Sequence, residues 1–223
     1  MAYVASVSQR DWFDWHVPYD DPRSPLARRL RIVQGEIRAA VDRAPAGPLR
    51  AVSMCAGQGR DLIGALADHP RRSDVVARLI EMDRRNVAVA QAAARASGLT
   101  GITIREGDAS VTDAYEGAVP AELVLACGVF GNIDEDDIRA TIRTLPQLCA
   151  PRATVIWTRH RLAPDLTPAI RACFEESGFE EVVFHAPEDV HIGIGVHRLA
   201  ATPVPLRPGH RMFDFVGYDT LRP

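Results

Sequence analysis

The sequence contains no lysine, so all 26 of its Lys+Arg residues are arginines. A lysine Schiff base is therefore impossible, which excludes pyridoxal-phosphate and class I aldolase chemistry. The phosphate-binding loop GxxxxGK[ST] is excluded as well, because its lysine reaches the nucleotide. Abundant arginine, alanine and proline are typical of a GC-rich genome, and the chemical exclusions hold whatever the cause.

Cysteines are few, and their spacing carries no metal or disulfide signal. The four cysteines are Cys55, Cys127, Cys149 and Cys173. They form no CxxC pair and have no histidine at zinc-site spacing, so neither a disulfide framework nor a bound metal is expected. We expect reduced, mostly buried thiols.

Long apolar runs are also missing. No stretch approaches the roughly 20 apolar residues that span a bilayer, and residues 1–16 lack the basic and apolar parts of a signal peptide. A cytoplasmic protein without a membrane partner is therefore expected. The net charge is −3, and the arginines are scattered in pairs, so no nucleic-acid partner is expected either.

What is present indicates one α/β domain with additions at both ends. The 223 residues are 47% hydrophobic, enough for a sizeable core. We predict an N-terminal lid segment and helix over 1–48, a main domain over 49–200 and a C-terminal tail over 201–223 packed on it. The lid segment is rich in aromatic residues. The helix should begin with Ser24 as cap and Pro25 in its first turn, with one apolar face: Leu26, Leu30, Val33, Ile37 and Val41.

Strands and helices alternate between residues 49 and 200. Strands are predicted at 49–56, 75–81, 102–106, 122–127, 153–158, 180–185 and 191–199. Helices are predicted after the glycine turn at 57–59, over 84–97, from Asp134 with a kink or end at Pro146, and from Thr167 as cap. This order predicts a Rossmann-like, doubly wound, mostly parallel seven-stranded sheet with an antiparallel last strand.

Ligands of such sheets lie beyond the carboxyl ends of the strands, so the residues there matter most. Gly57 and Gly59 follow the first strand and allow backbone to approach a ligand. Leu62 stands where a dinucleotide fingerprint needs Gly or Ala, which disfavours NAD. Glu81 follows the second strand at the distance of a ribose-binding acid, and Asp108 follows the third. The segment CGVFGN (127–132) follows the fourth strand and again brings bare backbone to the site. Each of these features has an ordinary alternative, a tight turn or a solvated acid, but four at successive strand ends are unlike chance.

From Leu49 to Leu199 the sequence resembles the class I S-adenosylmethionine-dependent methyltransferases. AVSMCAGQGRDL is similar to the family's glycine-rich first motif, and LIEMDRRNVAVAQAAARASGL resembles the second. REGDAS looks like the adenine-binding segment, and ELVLACGVFGNI resembles the region near the sulfonium. The late strand HIGIGVHRL also suits the family. The sequence departs from the pattern at Ser53, where the family usually has an acid, and at Cys55, where it has glycine.

The resemblance implies S-adenosylmethionine as cofactor and assigns residues to it. Glu81 would bind the ribose. The other implied contacts come from the glycine loop, the adenine segment and the region near the sulfonium: Cys55, Ala56, Gly57, Gly59 and Arg60; Met82, Asp108 and Ala109; Cys127, Gly128 and Asn132. Because Ser53 carries no charge, the cofactor's amino group would rely on backbone carbonyls or an N-terminal residue.

The expected reaction is methyl transfer to a small-molecule acceptor, mainly by proximity and orientation. CGVFGN lacks the Pro-Pro-aromatic clamp of base amino-methyltransferases, which argues against nucleic acid. Candidate catalytic residues are His160, His16 and Tyr19; His160 has a solvated loop position as its alternative, and His191 and His197 are predicted to lie at the surface. Two other functions stay open: cyclisation or rearrangement of the cofactor, and a non-catalytic cofactor-binding regulator. The sequence leaves the oligomeric state open, with a homodimer as one alternative.

Overall fold

A computed structural model describes residues 11–216 of the chain. Residues 1–10 of the predicted lid segment and 217–223 of the predicted tail lie outside this range. The helices are α1 (Pro25–Arg43), α2 (Arg60–Leu66), α3 (Arg84–Ala96), α4 (Glu135–Thr144) and α5 (Thr167–Glu176). The strands are β1 (Leu49–Ser53), β2 (Val75–Glu81), β3 (Ile102–Glu106), β4 (Ala121–Ala126), β5 (Cys149–His160), β6 (Phe179–His185) and β7 (Ile192–Leu199).

All seven strands form one sheet in the order β3-β2-β1-β4-β5-β7-β6. The first five pair in parallel, whereas β7 is inserted antiparallel between β5 and β6. The predicted fold class is therefore confirmed. The strand order reverses at β1, which has β2 on one side and β4 on the other, and such a switch point is where open α/β sheets bind ligands.

Helices cover both faces of the sheet. One apolar cluster joins α1 and α2 to the sheet and includes Ile37 and Leu62. The other lies beneath α4 and α5 and includes Ile142 and Phe174. At its centre the buried ring of Trp157 stacks on Phe174, with centroids 6.0 Å apart and planes 10° from parallel. Burial on both faces explains why the central strands read as continuous apolar runs.

The start of α1 follows the prediction, but its buried face differs. The Ser24 hydroxyl accepts from the backbone N–H of Ala27 at 3.0 Å, which caps the helix. Leu26 and Leu30 are only half-buried, whereas Arg29 is 7% exposed. The helix is therefore rotated so that a charged residue faces inward, towards the carboxyl ends of the strands.

Two local predictions are wrong. Thr167 does not cap α5; the Asp165 carboxylate accepts both its backbone N–H and its hydroxyl, at 2.9 and 2.8 Å. His197 is not a surface residue but is 1% exposed, and its Nδ1 accepts from the indole N–H of Trp157 at 3.1 Å. Burial lowers the pKa of His197 to about 4, so the ring is neutral and can accept. A strand inserted between two others buries both of its faces, which an alternating pattern does not reveal.

Both ends of the described range, 11–216, reach the same edge of the sheet. A short 3-10 helix, Asp14–Asp20, precedes α1 and packs against it. From the other end, His210 accepts from Thr112 N–H at 2.9 Å and Met212 N–H donates to Ser110 at 2.7 Å, both through backbone groups. This bridge places residues 211–215 beside the ends of β3 and β4.

Within residues 11–216, no helix is long and apolar enough to cross a membrane, and no three His, Cys, Asp or Glu residues cluster as metal ligands would.

Candidate functional site

A cavity of about 450 Å³ lies at the carboxyl ends of β1 to β4, where the strand order reverses. Its floor is built from the loops that follow these strands. Its roof comes from both ends of the described chain, which we call the aromatic lid: Trp12, Trp15, His16, Tyr19 and Phe215. A cavity of this size and position is typical of small-molecule sites in α/β proteins.

The loop after β1 is tightly wound. Gly57 and Gly59 have φ of 55° and 69°, in the left-handed region that favours glycine. Cys55 also has a positive φ, 45°, at the position where the resemblance implied glycine. The loop therefore keeps the glycine-type conformation and places a thiol where a hydrogen would stand. Burial raises the pKa of that thiol well above its ordinary value, so it is protonated at neutral pH.

Glu81, the last residue of β2, ties this loop to the neighbouring strand. One carboxylate oxygen accepts from Gly57 N–H and the other from Asp83 N–H, both at 2.8 Å. The side chain lines the cavity, and burial raises its pKa, although the backbone N–H groups oppose the shift. Each oxygen has accepted one hydrogen bond and retains a further lone pair.

Asp108 lies at the end of the adjacent strand and is already engaged. Its carboxylate accepts from Ser110 N–H at 2.8 Å and pairs with Arg211 of the C-terminal segment at 3.1 Å. Burial alone would raise its pKa, but these hydrogen bonds and the guanidinium charge lower it. Asp108 is therefore ionised at neutral pH, and it holds the tail as well as lining the cavity.

The segment after β4 is fixed by its own hydrogen bonds. Gly128 N–H donates to the Thr158 hydroxyl at 2.9 Å, and the Asn132 amide donates to the Gly128 carbonyl at 2.6 Å. Gly128 has a φ of 82° and faces the cavity without a side chain. Cys127 is buried, which raises the pKa of its thiol.

The aromatic lid is held on the domain by rings and ion pairs. Trp12 contacts Phe215 edge to face, with ring centroids 5.1 Å apart, so the two ends of the described chain meet over the cavity. Asp11 forms two hydrogen bonds of 2.9 Å to Arg85 of α3, and Arg60 of α2 pairs with Asp20 at 2.8 Å.

His16 stands in the lid directly over the glycine loop. A Cβ on Gly57 would lie 2.3 Å from His16 Nε2, so the imidazole fills the space that this glycine leaves. His16 Nδ1 lies 2.8 Å from the Trp12 carbonyl. A carbonyl only accepts, so Nδ1 carries the hydrogen and Nε2 is the unprotonated nitrogen. Burial lowers the pKa of His16 below 6.5, which keeps the ring neutral at pH 7.

Behind His16 lies a buried polar cluster formed by Tyr19, Arg29 and Asp61. The Arg29 guanidinium donates to the Tyr19 hydroxyl and lies 3.9 Å from Asp61 Oδ1. Burial raises the pKa of Tyr19 well above its ordinary value, so the phenol is protonated. Tyr19 is thus an acceptor for Arg29 and not an anionic base.

The structure brings most of the residues named from the sequence to this cavity. Those that line it are Cys55, Ala56, Gly57, Arg60, Glu81, Met82, Asp108, Ala109, Cys127, Gly128 and Asn132, with His16 and Tyr19 in the lid. Gly59 lies behind the loop, where a Cβ would meet Ile63 at 2.6 Å. His160 ends β5 behind the 128–132 segment and is not among the lining residues.

Eleven lining residues were not among the site residues named from the sequence: Trp12, Trp15, Asp83, Asn86, Gly107, Ser110, Arg29, Asp61, Arg211, Phe213 and Phe215. Arg29 lies on a helix whose apolar spacing drew attention to its neighbours, and Asp61 is an acid in the first turn of α2. The only available signal for the last three was the apolar pair Phe213 and Phe215 in an otherwise polar tail.

The family is decided by a match to a family model over residues 26–181, whose description reads "Putative methyltransferase". The chain belongs to this methyltransferase family. The family predicted from the four motifs is thereby confirmed. The matched range runs from the first turn of α1 into β6, so it includes every strand end that forms the floor of the cavity.

Solved structures agree on the fold of this methyltransferase. An O-methyltransferase family protein from Burkholderia thailandensis superposes with a TM-score of 0.64 at 16% identity, over 85% of this chain and 59% of that one. Magnesium protoporphyrin IX methyltransferase from Synechocystis PCC 6803, with bound SAM, gives a TM-score of 0.62 at 15% identity, over 86% of this chain and 98% of that one. The chain therefore spans less than two thirds of the Burkholderia protein. No curated protein matches the sequence.

Proposed function

We propose that this methyltransferase transfers the methyl group of S-adenosylmethionine to a small-molecule acceptor held under the aromatic lid. The observation that carries the proposal is the cavity at the sheet's switch point, with Glu81 and the glycine loop on its floor and aromatic rings from both ends of the described residues above it. Its volume of about 450 Å³ suits a small ligand.

The residues present fit the cofactor. Glu81 has lone pairs left for two ribose hydroxyls, and Gly57 and Gly128 expose bare backbone to the cavity. Met82, 65% exposed beside Glu81, offers an apolar surface for an adenine ring. When bound, S-adenosylmethionine supplies an electrophilic methyl group on a sulfonium, so the protein has mainly to orient the acceptor and exclude water.

The lid residues perform these two tasks. The rings of Trp12, Trp15 and Phe215 cover one side of the cavity and present flat apolar faces, which favours a planar or apolar acceptor. His16 Nε2 is unprotonated and faces the same space, so it is placed to accept the proton of an acceptor hydroxyl or amine. Of the three catalytic candidates, His16 is the one that this geometry favours.

We also propose a cellular location, a reducing compartment. All four cysteines are free thiols, three of them buried, which favours a reducing compartment such as the cytoplasm.

Ligand binding tests the cofactor without knowledge of the acceptor. S-adenosylhomocysteine at about 100 times its dissociation constant is expected to add about 2.7 kcal/mol to the free energy of unfolding, a midpoint rise of about 5–10 °C. NAD should give no shift. Incubation with labelled S-adenosylmethionine and small-molecule extracts should then leave S-adenosylhomocysteine; methylthioadenosine as product would instead indicate cyclisation, and label entering only RNA would contradict the small-molecule acceptor.

The role of His16 predicts a pH dependence. Its pKa lies below 6.5, and the charged groups acting on it are Arg60, Arg29 and Asp61. Activity should therefore be constant near pH 7 and fall as pH drops through this lowered pKa, where Nε2 becomes protonated. The stability contribution has the same sign: a depressed folded pKa stabilises the fold above pH 6.5 and loses that contribution as pH falls.

Replacement of His16 checks this assignment. His16→Gln is expected to lower kcat by about 100-fold and to remove the acid limb of the pH profile. His191→Gln, which changes an exposed histidine, should leave both unchanged. An acid limb that persists in His16→Gln would assign the titration to another group.

A further inference from the structure

The glycine loop lacks the acid expected at its start, and the structure shows an acid elsewhere in the same cavity. Ser53 is 5% exposed, carries no charge and does not line the cavity. Asp61, two residues beyond Gly59 in the first turn of α2, does line it, with 19% of its side chain exposed. The negative charge near the glycine loop therefore lies on α2 and not at the end of β1.

The surroundings of Asp61 give its carboxylate one weak donor, the Cys127 thiol, with which it shares a side-chain hydrogen bond. Its Oδ1 is buried and has no hydrogen-bond partner among the described residues. The nearest cation, Arg29, lies 3.9 Å away, beyond hydrogen-bond distance, because its guanidinium donates to Tyr19 instead. A buried acceptor without a donor is destabilising, so a cationic donor supplied by a ligand would be bound favourably here.

Asp61 also lies in the part of the cavity floor where the amino-acid end of the cofactor is expected. Arg29 stands 3.7 Å from a Cβ built on Gly128, so the pair lies between the glycine loop and the segment after β4. The Asp61 charge contributes, after burial, to the raised pKa of the Cys127 thiol at the end of β4. Glu81, at the end of β2, and Asp108, in the loop after β3, line the cavity on the other side of the glycine loop.

We propose that Asp61 binds the ammonium group of the amino-acid end of S-adenosylmethionine, with Arg29 as a positioning residue held by Tyr19. This inference rests on the proposed function. Arg29, 3.9 Å from Asp61 Oδ1, balances the charge of the carboxylate. Asp61, on the helix that follows the glycine loop, thus takes the place of the acid that the family usually has at the position of Ser53.

Two ligands that differ only beyond the thioether test the proposal. S-adenosylhomocysteine carries the amino-acid end, whereas methylthioadenosine lacks it. Asp61→Asn is expected to weaken S-adenosylhomocysteine binding by about tenfold or more and to leave methylthioadenosine binding within about twofold, measured by calorimetry. Asp68→Asn, a control at an exposed acid paired with Arg38, should change neither.

The outcomes separate this inference from the proposed function. A wild-type protein that binds neither ligand overturns the proposed function itself. A wild-type protein that binds both, with unchanged affinities in Asp61→Asn, overturns the role of Asp61 and assigns its charge to an acceptor ammonium or to the fold. If Arg29 acts through Asp61, Arg29→Met should reduce the preference for S-adenosylhomocysteine over methylthioadenosine, and Arg29→Lys should restore part of that preference. If Arg29 has only a structural role, Arg29→Met should weaken the binding of both ligands equally.

Discussion

Gly57→Ala is expected to weaken S-adenosylhomocysteine binding by roughly 500-fold and to displace the aromatic lid. The residue has a φ of 55°, and an added Cβ would lie 2.3 Å from His16 Nε2 and 2.9 Å from Cε1. Left-handed backbone costs alanine about 1–2 kcal/mol, and overpacking adds about 1–3 kcal/mol. A closed loop destabilised by about 4 kcal/mol is populated several hundredfold less, and apparent affinity falls by the same factor.

A second glycine separates the two causes. Gly98, which follows α3, has a φ of 65° and nothing within 4 Å of an added Cβ. Gly98→Ala therefore carries the backbone strain alone and should lower stability by about 1–2 kcal/mol without affecting the ligand. Tryptophan fluorescence measures displacement of the lid. Two of the three tryptophans, Trp12 and Trp15, lie in the lid, whereas Trp157 is fully buried in the core. Unchanged emission and affinity in Gly57→Ala would show that His16 does not depend on this contact.

The floor of the cavity was predictable because it follows from local rules. Apolar runs identify buried strands, and parallel strands bring their carboxyl ends to one edge of a sheet. Glu81 and Asp108 were predicted on these grounds, and the structure places both on one cavity. Their roles in binding stay predictions until ligand affinities are measured.

The roof and the charged cluster were not predictable by the same rules. Arg29 is buried because Tyr19 and Asp61 are near it, and no periodicity in α1 indicates that distant pairing. Trp12 and Phe215 come from opposite ends of the described chain, so their contact depends on tertiary closure. His197 became buried because β7 enters the sheet between two strands, a choice of neighbours that an alternating sequence leaves open.

Glu81→Gln is expected to weaken S-adenosylhomocysteine binding by about 1,000-fold, or about 4 kcal/mol, while changing stability little. In the native side chain both oxygens accept backbone N–H groups at 2.8 Å, from Gly57 and Asp83. An amide has one oxygen, so its NH₂ group faces a donor, which costs about 1–3 kcal/mol. Removal of a carboxylate whose pKa is raised by burial returns part of that cost, so the net change in unfolding free energy should be about 1 kcal/mol.

Binding has no such compensation, since two ribose hydroxyls would lose a charged acceptor worth about 1.5–3 kcal/mol each. The sign of the pH effect follows from the raised pKa of Glu81: wild-type affinity should be highest above that pKa and fall as acid protonates the carboxylate, whereas Glu81→Gln should show no such dependence. Glu106 is the register partner of Glu81 on β3 and is exposed and paired with Arg84, so Glu106→Gln is the matched control and should bind normally. If Glu81→Gln binds S-adenosylhomocysteine within threefold of the wild-type affinity, Glu81 does not bind the ribose and only holds the glycine loop.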